Sequence, residues 1–117
     1  MSRERGAATA ELAMVLPLLV AVTIGLVWLL SLGAAQVRAV DAAREAARAL
    51  ARGDAQAEAV ARGEEVGPAG TRVTISHDGD RVRATATAQV HGPGGLFRFL
   101  PSVRLQATAV AADEGAS

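Results

Sequence analysis

Three hydrophobic patterns follow one another along the chain. Residues 12–35 are an apolar run of 24 residues with no charged side chain, interrupted only by Pro17, Thr23, Gly25, Ser31 and Gly33. As a helix, this run reaches ~36 Å, enough to cross ~30 Å of hydrocarbon with some tilt. Pro17 removes one backbone donor and predicts a mild kink. Ser31 and the Gly33-Ala34-Ala35 cluster offer small surfaces for close helix packing. Beyond the run the period stays between three and four: Val37, Val40, Ala43, Ala47 and Leu50 fall on one face of an alanine-rich amphipathic helix. No breaker separates the two patterns, so one continuous helix over 9–52, ~65 Å long, is predicted. Arg44, Arg48 and Arg52 form a like-charge row on its outer face, relieved by Asp41 and Glu45 at spacings of three.

Gly53-Asp54 reads as a helix stop followed by a fresh N-cap, 55–62 as a short second helix closed by Gly63, and 64–70 as a linker holding Gly67-Pro68. The period then becomes two. Val73 and Ile75, then Val82, Ala84, Ala86, Ala88 and Val90, then Val103, Leu105, Ala107 and Ala109 alternate with polar residues, which predicts three strands with one apolar face. Asp78-Gly79 is a preferred type I′ dipeptide; a two-residue turn there sets Ile75 opposite Val82 and Val73 opposite Ala84. In the 91–102 connection, Leu96, Phe97, Phe99 and Leu100 are read as a plug at the edge of a core otherwise made of alanine. The predicted class is α+β, a long N-terminal helix followed by a small three-stranded antiparallel sheet. Facing alanines approach closely but bury little area each, so the module is expected to be only modestly stable alone.

Composition narrows the function. The chain has 117 residues, 12 arginines and no lysine against 12 acids, and no cysteine. Once the membrane run is set aside, one small core remains and a bulky enzyme site does not fit. The balanced charge argues against a nucleic-acid surface. His77 and His91 are read as surface residues beside a turn and at a strand end. No HExxH, GxSxG or phosphate-binding glycine loop is present. His77, Asp78 and Asp80 match no calcium loop, and the turn accounts for both acids. A removable secretory signal has an apolar stretch of about 7–15 residues, shorter than this one.

Glu11 stands directly against the apolar run, where a carboxylate must keep contact with water or find a cation. One reading is an acid in a first helical turn, favoured by the helix dipole. The other comes from spacing. A short basic leader with Arg3 and Arg5 ends in Gly6, a small residue Ala7 follows, and Glu11 comes five positions after the glycine, just before the membrane helix. This arrangement resembles the processing site of type IV prepilins. More narrowly, "RGAATAELAMVLPLLV", then "GAAQVRAVDAAREAARALARGD", then the alternating C-terminal part, resembles the TadE-like minor pilins, or pseudopilins, of the Flp (tight-adherence) pilus. The motifs are specific in the first half and loose after Gly53.

The resemblance implies a leader at 1–6, a transmembrane helix at 7–35, a helical stalk at 36–66, a β domain at 67–112 and a tail at 113–117. It implies cleavage of the Gly6–Ala7 bond by a prepilin peptidase, Glu11 as an assembly residue, and other pilins, pilus assembly proteins and membrane lipid as partners. No cofactor, metal, catalytic residue, small-molecule substrate or nucleic acid is expected. The implied topology places the leader inside and the sheet outside. The arginine count argues the reverse, since Arg38, Arg44, Arg48 and Arg52 follow the run while Arg3 and Arg5 precede it. The rival reading is a signal-anchored surface module that binds a ligand and never assembles.

Overall fold

The computed structural model describes residues 2–92 and 102–112. Its elements are α1 (Ser2–Ala51), α2 (Gln56–Val66), β1 (Arg72–Asp78), β2 (Arg81–Val90) and β3 (Val103–Ala112). The three strands form one antiparallel sheet in the order β1-β2-β3, so the α+β architecture is as expected. The predicted plug of Leu96, Phe97, Phe99 and Leu100 lies outside the described residues.

The chain divides into two units, residues 1–31 and 32–117. The first is helical throughout its described length. The helix begins before the expected residue 9, because the leader residues are mostly good helix formers and a single Gly6 costs only about 1 kcal/mol. It continues through Pro17. Two hydroxyls in this unit find partners inside their own helix: Thr23 Oγ1 donates to the Leu19 carbonyl at 2.8 Å and Ser31 Oγ to the Val27 carbonyl at 3.0 Å. Each polar group is thereby satisfied without water, a requirement in hydrocarbon. Leu12, Leu16, Leu19, Leu26 and Leu30 are all exposed, and none of the most apolar window is buried by protein. That helix is long and apolar enough to cross a membrane.

In the second unit, α1 lies against a core made almost wholly of alanine. Ala39, Ala42, Ala43, Ala46 and Ala47 cluster with Val73, Ala84, Ala86 and Ala107. Among the described residues, no large side chain is fully buried. The buried face of α1 is rotated from the predicted stripe: Val37 is 61% exposed, whereas Ala42, Ala46 and Ala49 are completely buried. The reason is a second neighbour. Gly63 of α2 sits against Ala42 and Ala46, so α1 is covered on this flank as well as by the sheet. Small side chains are favoured wherever two backbones approach this closely, and the valine turns outward. The arginine row is exposed as predicted. Glu45 lies 3.8 Å from both Arg48 and Arg52, while Arg52 also reaches Asp54 at 3.3 Å.

Two local readings are corrected. Gly63 does not close α2, which runs on to Val66 and ends where the Gly67 N–H donates to the Gly63 carbonyl. Asp54 does not cap it either. The N-cap is Ala55, with no side-chain hydrogen bond, while the Asp54 N–H donates to Ala49 and its carboxylate faces Arg52. The hairpin register also differs from the prediction by two residues. Asp78 pairs with Arg81, Ile75 with Ala84 and Val73 with Ala86, so the turn residues are Gly79-Asp80. Gly79 has φ +63 while Asp80, like every described non-glycine residue, has none that is positive, which is the sign pattern of a II′ turn with glycine first; a type I′ turn would require positive φ at both positions. A shift of two preserves the side-chain faces, and the apolar residues remain inward.

Candidate processing and assembly site

Gly6, Ala7 and Glu11 all lie in the first turns of α1, on exposed surface. A β-carbon built on Gly6 meets nothing within 4 Å. The Gly6–Ala7 bond is thus accessible but helical, and a peptidase that takes extended substrate must open the turn first. A glycine at this point lowers the cost of that opening. Ala7 and Glu11 are four residues apart, neighbours on one helical face. Among the described residues, no ion pair involves Glu11. Its carboxylate and the Ala7 backbone therefore stand together at the head of the apolar helix.

The other chemistry-bearing residues do not converge. His77 and His91 are both exposed, and Asp78 belongs to β1 while Asp80 lies in the turn. Among the described residues, no group of three or more His, Asp or Glu could hold a metal. A feature not anticipated from sequence is an open depression at one end of the sheet, where Arg72, Gln89 and His91 meet Ala69 and Gly70. It exists because β2 outruns β1, by the three residues 88–90 in the observed register. The alternation of Arg72, Thr87 and Gln89 on the polar face was the available signal.

Residues 6–48 match the family model of TadE-like proteins. The match begins at Gly6 and takes in Ala7, Glu11, the apolar run and the alanine-rich helix as far as Arg48. The chain is also 41% identical over 83 residues to the apoptosis inhibitor Rv3655c of Mycobacterium tuberculosis, a match covering 70% of this chain and 59% of that protein. The chain thus spans well under two thirds of that relative's length. No solved structure matches.

Proposed function

The chain carries a TadE-like domain over residues 6–48, and from that premise we propose that it is a minor pilin, or pseudopilin, of a Flp/Tad-type pilus or related secretion apparatus. The observation that carries this reading is the position of the match. It starts on Gly6, holds Ala7 and Glu11, and leads directly into an exposed apolar helix. A prepilin peptidase removes residues 1–6, the helix anchors the subunit in the cytoplasmic membrane, and the sheet stands outside. Once cleaved, the chain packs by its apolar helix among other pilins. The core of the second unit supports an assembled state, since eleven alanines and two valines are the buried apolar residues among those described and bury little area for their number.

The test is the N-terminus. Mass spectrometry of the protein purified from its native membrane should find a chain beginning at Ala7, and Gly6→Leu should leave the leader attached. An uncleaved terminus in native cells overturns the pilin reading and leaves the signal-anchored surface module. The name of the mycobacterial relative supports a second reading, an anchored protein that inhibits apoptosis. That reading requires neither cleavage at Gly6 nor copurification with pilins, so the same preparation separates the two.

A further inference from the structure

β2 is longer than β1 at one end. Their pairing runs from Asp78↔Arg81 to Arg72↔Thr87, whereas β2 remains paired with β3 as far as Val90↔Val103. Among the described residues, 88–90 therefore have a strand on one side only. A β-strand directs its N–H and C=O groups to both sides in alternation, so this overhang presents unpaired main-chain groups to the space beyond the start of β1. Among the described residues, no backbone hydrogen bond joins the 67–71 turn to this overhang; the Thr71 N–H is taken by Pro68 instead. The space is the depression lined by Ala69, Gly70, Arg72, Thr87, Gln89 and His91.

Its chemistry suits a carboxylate on an extended chain. Arg72 is exposed and joins none of the ion pairs among the described residues, although Glu64 and Glu65 are near it in sequence. Arg104 lies directly across from Gln89 on β3 and adds a second cation to the same end of the polar face. No acid is among the described residues that line the depression. A guanidinium beside open backbone groups is the donor set that strand addition by an acidic segment uses.

The chain itself carries such a segment, Asp113-Glu114, immediately after β3. It starts at the wrong end of the sheet to serve its own chain. Ala112 pairs with Arg81 at the hairpin end, and Arg104, beside the depression, is eight residues earlier, ~27 Å away along a strand. Residues 113–117 reach at most ~18 Å even when fully extended. We propose that the depression receives the Asp113-Glu114 segment of a second copy, which adds as a short strand beside residues 88–90 with one of its two carboxylates on Arg72, since neighbouring residues of a strand face opposite ways. A one-way contact of this kind is heterologous and propagates from copy to copy, whereas a reciprocal exchange of the same segments closes into a two-fold pair. Its use in a filament rests on the pilus reading; the contact between copies does not.

The native chain has no cysteine, which permits a direct test on the full-length protein in detergent micelles. One copy carries Ala69→Cys beside the depression and another Gly115→Cys beside the acids, and the mixture is oxidised. A mixed disulfide dimer should form, with a yield about fivefold or more above that of an exposed Ser76→Cys control. Adding Arg72→Glu to the Ala69→Cys copy should cut the yield by about fivefold or more, as expected for loss of a charge pair. Combining it with Asp113→Arg and Glu114→Arg in the other copy should restore the yield, a rescue that an unfolded Arg72→Glu chain could not give. Equal yields from positions 69 and 76, or no rescue, overturn the proposal. Failure here in a protein that is cut at Ala7 and copurifies with pilins sinks this contact alone; a specific disulfide in an uncut, unassembled protein sinks the pilus reading alone.

Discussion

Gly63 lies so close to Ala42 that a β-carbon on it would sit 2.9 Å from the Ala42 carbonyl oxygen, and 3.1 Å from both Ala46 Cβ and Val73 Cγ2. Three elements meet at that one missing side chain, α1, α2 and β1. Because the closest atom belongs to the α1 backbone, it cannot swing aside as a flexible side chain would.

Gly63→Ala should therefore destabilise the fold although alanine is the better helix former. The propensity gain is at most about 1 kcal/mol, whereas overpacking a close contact costs about 1–3 kcal/mol. The expected net loss is up to about 2 kcal/mol, larger for Gly63→Val, read by thermal unfolding of the full chain in detergent. A stabilised Gly63→Ala protein would show that α2 can move off α1 freely.

The turn assignment separates two neighbouring residues. Gly79 has φ +63, so Gly79→Val places a β-branched side chain in the left-handed region at about 1–2 kcal/mol or more. Asp78 is an ordinary residue of β1 paired with Arg81, and Asp78→Val should change stability by no more than about 0.5 kcal/mol. Comparable losses at both positions would restore a type I′ turn at Asp78-Gly79.

Glu11 tests assembly apart from processing. Cleavage at Ala7 would create an amino group four residues from Glu11, and a staggered neighbour could offer its own amine to this acid. Glu11→Gln keeps shape and polarity while removing the charge. The variant should insert and be cut at Ala7 yet fail to copurify with other pilins; normal copurification would leave Glu11 as an interfacial acid favoured by the helix dipole.

Topology is decided by access. With the sheet outside, protease added to wall-stripped cells should destroy an epitope inserted between Gly79 and Asp80, an exposed turn where a β-carbon on Gly79 would meet no described residue within 4 Å. Protection until lysis would mean that the arginines following the apolar run orient the chain.

Periodicity alone determined the kind and order of the elements. An uncharged run of 24 residues, an alanine-rich stretch of helical period and three alternating segments can each bury their apolar positions in one way only, and the strands kept their inward faces even where their pairing was misread. The reading of the head of the chain rests on sequence by itself, because Gly6, Ala7 and Glu11 are close in sequence and need no fold to bring them together; its roles in processing and assembly stay a proposal. Tertiary structure decided what depends on a second element. Val37 turned outward and Ala42 inward because α2 arrived on a flank that no helical period reveals. Gly63 became a contact in place of a cap for the same cause. The hairpin moved by two residues because alternation repeats every two, so the pattern could not tell one such register from the next, and only the positive φ of Gly79 with strand pairing on both sides of it could. An overhang of β2 past β1 follows from the strand lengths in either register; the observed one sets its extent at residues 88–90, beside Arg72.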